Sequence, residues 1–182
     1  MELLFAILLA WLIASVLFQK EFVKPTPKTS PVKSSSGLYQ VLKVADGDTV
    51  TIRYPESNTG KLKLRLNGID APEHSMHGKP EQPYAKESQA LLTKLCSDGV
   101  ILQITGTEKW GRTLAWLYTP NGVCINSEMV RQGAAWYYEQ FCKNNRTLAA
   151  YQAEAQRNKW GLWGQKNPQA PWEYRKSSAK KF

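Results

Sequence analysis

Histidine is scarce in this chain, with two residues in 182, and cysteine amounts to three. No two cysteines stand in a C-x-x-C spacing, which argues against a structural zinc site. Three thiols also cannot staple a disulfide-dense mini-scaffold. No internal repeat is present, which excludes a solenoid or a propeller. Long apolar runs are confined to Leu3–Phe18, so the chain is not a polytopic membrane protein. Charge of the negative sign is in short supply, with 15 acids against 24 lysines and arginines and a net charge of +9.

What is present bounds the rest. Apolar residues make up 42% and charged residues 21%, which excludes a fully disordered chain and leaves room for one globular domain. The positive balance points to a polyanion, nucleic acid or an anionic membrane. The excess is uneven. Lys20, Lys24, Lys28 and Lys33 precede the domain, and Arg175, Lys176, Lys180 and Lys181 follow it. Such tails assist polyanion binding through counterion release, or are simply solvated.

Leu3–Phe18 has Ser15 as its one polar member. As a helix it spans roughly 24 Å, short of the ~30 Å hydrocarbon core. Glu2 and the lack of an A-x-A cleavage site argue against a cleaved signal and for an uncleaved single-pass anchor. The lysines that follow favour a cytoplasmic domain by the positive-inside rule, whereas the activity inferred below favours the exterior. Residues 19–36 hold Pro25, Pro27 and Pro31 among serines, threonines and lysines, and read as an extended linker. The expected layout is therefore anchor or signal 1–18, linker 19–36, domain 37–175 and basic tail 176–182.

The domain reads strands first and helices later. Leu38–Val44, Thr49–Tyr54 and Lys61–Asn67 are strand candidates, the last two alternating with Val50, Ile52 and Tyr54, and Leu62, Leu64 and Leu66, on one face. Ser57-Asn58-Thr59-Gly60 reads as a hairpin turn. Residues 84–97 read as a helix stopped by Gly99, and Val100–Thr105 and Thr113–Tyr118 as strands. Asn126 is expected to cap a short helix ending at Gly133, and Thr147 to cap a last helix over 147–159. Periodicity supports α+β, and five short strands with added helices fit a small OB-type β-barrel.

Chemistry concentrates in three segments. Asp46-Gly47-Asp48-Thr49 makes a tight acidic corner of the kind hard cations favour, though it also reads as a plain turn. In Arg65-Leu66-Asn67-Gly68-Ile69-Asp70-Ala71-Pro72-Glu73, Pro72 holds Ala71 extended and aims its carbonyl. Lys109-Trp110-Gly111-Arg112 opens the next strand pair. Carboxylates for a metal, a further carboxylate for water and two guanidiniums for an anion make the inventory that phosphodiester hydrolysis needs.

With Asn126-Ser-Glu-Met-Val-Arg-Gln-Gly133, Gly161-Leu-Trp163 and Pro171-Trp-Glu-Tyr-Arg175, these segments make the chain resemble the thermonuclease, or staphylococcal nuclease-like, family in its bacterial exported or anchored branch. The resemblance runs from Gly37 to Arg175. It implies a five-stranded OB barrel with about three helices. It implies Ca²⁺ held by the Asp48 and Asp70 carboxylates and the Ala71 backbone carbonyl, with Asp46 acting through water. Glu73 would orient or deprotonate the attacking water, and Arg65 and Arg112 would bind the scissile phosphate. Lys109, Trp110, Tyr137 and Tyr138 would contact the nucleotide. The implied activity is calcium-dependent cleavage of DNA and RNA to 3′-phosphates by a monomeric domain. A catalytically silent OB-fold module that only binds nucleic acid is the alternative.

Ala71 and Trp110 depart from the family's usual threonine and tyrosine, and the loop from His74 to Pro83 differs too. His74 and His77 read as plain loop residues. Trp136, Trp160, Trp163 and Trp172 are expected to fill the space between helices and barrel. Cys96, Cys124 and Cys142 are either free thiols or one bridge and one thiol.

Overall fold

The computed structural model describes residues 37–75, 80–108 and 111–179. The anchor and linker segments, His77, Lys109, Trp110 and the last residues of the tail lie outside these. Among the described residues no helix is long and apolar enough to cross a membrane.

The strands are β1 (Leu38–Tyr39), β2 (Val41–Val44), β3 (Thr49–Arg53), β4 (Lys61–Leu66), β5 (Ile69–Asp70), β6 (Val100–Thr107), β7 (Thr113–Tyr118) and β8 (Trp136–Tyr137). The helices are α1 (Ala85–Leu95), α2 (Ile125–Arg131), α3 (Arg146–Asn158) and α4 (Pro171–Ala179), with a 3₁₀ turn at Gly161–Gly164. The molecule is therefore α+β. Its main sheet has six strands in the order β1-β6-β7-β4-β3-β2, and β4 and β7 are parallel. The first strand, expected as Leu38–Val44, is split at Gln40. One half pairs with β6 and the other with β3, so the row of ladders returns to its own start.

Alternation along β3 and β4 builds the core. Val50, Ile52, Leu64 and Leu66 are fully buried and meet Leu117, Ile125, Met129 and Leu148. Their register pairs Val50 with Leu64 and Thr49 with Arg65. The second pair faces the other way, which brings Arg65 beside the acidic corner at the start of β3. The Leu66 amide donates to the Asp48 carbonyl at 2.8 Å and extends the ladder into that corner.

Three expectations need correction. Asn126 does not cap α2, since Cys124 holds the capping position. Its buried amide instead accepts from the Leu117 amide and donates to the Asn67 and Ala115 carbonyls, pinning α2 to the barrel. A short polar residue before an apolar run reads as a cap, yet here it satisfies backbone groups that water cannot reach. The cap of α3 is Asn145, which accepts from the Leu148 amide at 3.0 Å, and not Thr147. Trp160 is exposed, while Trp163 and Trp172 gather around Trp136, with ring centroids 4.3 and 5.5 Å away. All three cysteines are free thiols.

Candidate active site

The site forms where β3, β4 and β5 end together. Gly47 lets the acidic corner lie flat on α1: a Cβ there would stand 1.8 Å from Ser88 Oγ and 2.7 Å from the Ala71 Cβ. Ser88 cannot easily yield, because its hydroxyl donates to the Ala134 carbonyl at 2.7 Å. Asp48 is thereby fixed by its neighbours. Its Oδ2 accepts from the Ala71 amide at 2.7 Å and its Oδ1 from the Thr49 hydroxyl at 3.0 Å. Asp46 folds back to accept the Asp48 amide at 3.0 Å. Asp70 is carried by a two-residue ladder in which it pairs with Trp136.

Arg65 bridges the two aspartates. Its Nη2 donates to Asp70 Oδ1 at 2.6 Å, and its Nη1 lies 2.6 Å from Asp48 Oδ2 as a charge contact without an aligned N–H. All three side chains are nearly inaccessible, at 4%, 7% and 0% exposure for Arg65, Asp48 and Asp70. Burial works against the Arg65 charge, but Asp48, Asp70, Asp46 and Glu108 outweigh it and hold the guanidinium above its usual range.

A second arginine enters from the far end of the chain. Arg175 of α4 lays its fork on Asp70, with Nη2 at 2.8 Å from Oδ2 and Nη1 at 3.1 Å from Oδ1. The same Nη1 donates to Glu73 Oε1 at 2.5 Å. The Glu73 main chain is tied to Gln82, whose side chain accepts the Glu73 amide and whose amide donates to the Glu73 carbonyl, both at 2.9 Å. Gln82 also donates to the Gln169 carbonyl just before α4. Neither Arg175 nor Gln82 was expected in the site. The Pro171–Arg175 motif marked the former, and only as a resemblance.

Arg112 is joined to this group through Glu108. Its Nε donates to Glu108 Oε2 at 2.6 Å, and its side chain remains 41% exposed while Glu108 is 3% exposed. Of the expected nucleotide contacts, Lys109 and Trp110 lie outside the described residues, and Tyr137 pairs with Ile69 in the ladder that carries Asp70. Tyr137 donates to the Cys142 carbonyl, and Tyr138 stacks on Trp172 with centroids 5.1 Å apart. His74 pairs with Glu81 at 2.5 Å.

The charges of the pocket are unevenly matched. Asp46, Asp48, Asp70 and Glu73 face Arg65 and Arg175, so four carboxylates meet two guanidiniums. Burial, then the neighbouring Asp48, pushes the Asp46 carboxyl up to about 7. Burial also raises Asp70 to about 6, with Asp48 adding to it, although Arg65 and Arg175 pull the other way. A hard divalent cation would balance the remaining charge through oxygen donors. Among the described residues no three acidic, histidine or cysteine side chains form a metal cage by themselves, so a main-chain or water ligand is required. Ala71 follows Asp70 in the chain and gives its amide to Asp48, so its main chain lies beside both aspartates and the oxygen-donor chemistry fits a hard cation.

Comparison with known proteins finds nucleases. The family model described as staphylococcal nuclease homologue matches residues 63–165, a span that includes Arg65, Asp70, Glu73 and Arg112. An uncharacterized endonuclease of Escherichia coli O157:H7 is 35% identical, over 75% of this chain and 83% of its own length. A micrococcal nuclease of Shigella flexneri is 31% identical, over 76% of this chain and 80% of its own. A staphylococcal-like nuclease of Arabidopsis thaliana is 31% identical, over 79% of this chain and 42% of its own.

Proposed function

The chain belongs to the staphylococcal nuclease homologues, and from that premise we propose that it is a calcium-dependent, sugar-nonspecific nuclease built on an OB-type barrel. The observation that carries the reading is the buried meeting of Asp48, Arg65 and Asp70, with Glu73 beside them. Asp48, Asp70 and the Ala71 carbonyl would hold Ca²⁺, with Asp46 contributing through water. When bound, the ion supplies charge for the non-bridging phosphate oxygens and a fixed place for substrate.

The remaining chemistry falls to the chain. Glu73 is 19% exposed at the pocket edge, where its carboxylate can orient a water and take its proton. That water attacks phosphorus, the bond to the 5′ oxygen breaks, and a 3′-phosphate and a 5′-hydroxyl result. Charge gathers on the non-bridging oxygens as the transition state forms. Arg112, reaching solvent, receives the phosphate, and Arg65 stabilises that charge from below. Lys109 and Trp110 extend the nucleotide contact. The net charge of +9 strengthens binding to either nucleic acid without selecting a sequence. Leu3–Phe18 anchors or exports the domain, which works outside the cytoplasm as a monomer.

The test is digestion of plasmid DNA and of RNA by the full chain with calcium, with magnesium and with chelator. Glu73→Gln and Arg112→Ala should each lower calcium-dependent turnover by about 10²–10⁴-fold with an unchanged circular dichroism spectrum. Near-normal turnover in both variants would sink the mechanism. Binding without cleavage by the parent chain would leave a silent nucleic-acid-binding module.

A further inference from the structure

Arg175 has no part in the hydrolysis just described, yet it makes the most extensive contact of any cation with the carboxylates of the site. Its two terminal nitrogens span both oxygens of Asp70 and one of Glu73. Asp70 Oδ1 also takes Arg65, so both Asp70 oxygens are engaged by guanidinium donors. A divalent ion bound to Asp70 would stand within a few ångströms of the Arg175 charge, at a carboxylate that is itself fully buried. Two like charges at that separation repel strongly where water does not screen them.

The two arginines differ in how firmly they are held. Arg65 sits on a central strand with 4% of its side chain exposed, whereas that of Arg175 is 35% exposed on the last described helix. Among the described residues α4 is held by aromatic packing and by hydrogen bonds to main-chain carbonyls. Trp172 stacks on Tyr138 and meets Trp136 edge-on, the Tyr174 hydroxyl donates to the Pro80 carbonyl, and Gln82 reaches the Gln169 carbonyl. Arg175 is thus the more exposed of the two arginines and is carried from outside the sheet.

We propose that Arg175 is an internal counter-cation that competes with the divalent metal for Asp70, so that the docking of α4 sets the metal affinity of the site. The inference rests on the metal-site reading given above. In the metal-free chain the Arg175 fork partly neutralises Asp70 and Glu73. Metal binding displaces the fork, frees Glu73 to face water and loosens α4. Arg175 is thus a positioning residue, acting on the reaction through the two carboxylates it holds.

Calcium titration of the full chain by calorimetry tests the competition. Arg175→Gln should bind calcium about tenfold more tightly than the parent, as for a fork that is closed roughly nine-tenths of the time. Arg175→Lys, which keeps the charge and loses the fork, should fall between them. Trp172→Ala, which loosens α4 without touching a carboxylate, should also tighten binding. In the parent chain, calcium should speed hydrogen exchange of the α4 amides. Unchanged or weaker affinity in both Arg175→Gln and Trp172→Ala, or α4 amides that slow with calcium, would overturn the proposal. If digestion proceeds normally alongside that result, only the role of Arg175 falls. If the parent takes up no calcium, the metal-site reading falls and the competition with it.

Discussion

Asp70 is gripped from two sides, and the two grips are made differently. The inner one, from Arg65, is dry and belongs to the barrel: five residues separate the partners in sequence, and strand pairing fixes both. The outer one, from Arg175, is half-open to solvent and crosses 105 positions of sequence. The inner grip therefore acts as part of the fold, and the outer as an attachment to it. Buried ion pairs are costly to break from one side, because the surviving charge stays desolvated. Exposed ones contribute little, because water and salt replace the lost partner.

The sharpest way to break this contrast is to remove Arg65. Arg65→Ala strands Asp48 and Asp70 without their shared cation, and should cost about 3–5 kcal/mol in urea unfolding of the metal-free protein. A loss below about 1 kcal/mol would show that the inner grip is no stronger than the outer. Acid should shrink the defect, since protonated Asp70 and Asp46 no longer need a cation.

Without metal, the parent protein should itself respond to pH. Asp46 is raised to about 7 and Asp70 to about 6, both by burial first. Acids raised in the folded state keep protons that the unfolded chain releases, so stability falls as pH rises. The contribution is complete below about pH 4, where both states are protonated, and is gone above about pH 7. In chelator, scanning calorimetry should find the melting temperature roughly 10 °C higher at pH 5 than at pH 7.5. Calcium favours the ionised carboxylates and should erase most of that difference. A melting temperature that climbs between those pH values in chelator would contradict the charge balance of the pocket.

The contrast also governs what could be read from the sequence. Asp46, Asp48, Asp70 and Glu73 are legible because they themselves lie in short motifs at turns beside strands whose alternation is plain. The core of β3 and β4 follows from the same alternation. β5 and β8 were not legible, since two residues cannot display a period, although that ladder carries Asp70. Gln82 looks like any polar loop residue until its three bonds around Glu73 and Gln169 are seen. Arg175 begins a basic stretch that reads as a solvated tail, although α4 continues through Lys176 to Ala179. Nothing local distinguishes an arginine that returns to a buried carboxylate from one that faces water.

The smallest expected effect tests the outer grip alone. Arg175→Gln in chelator at neutral pH should lose no more than about 1 kcal/mol of stability, because Arg65 still neutralises Asp70 and a partly exposed pair is discounted by solvent. The direction matters as much as the size. If Arg175 merely completed the fold, its removal would destabilise the protein equally with and without calcium. Under competition for Asp70, the loss appears in chelator and fades once calcium saturates the site, because the fork is then displaced in the parent as well. Thermal melts of parent and variant across a calcium series should therefore converge. Parallel curves would return Arg175 to the fold and leave metal affinity to the barrel carboxylates.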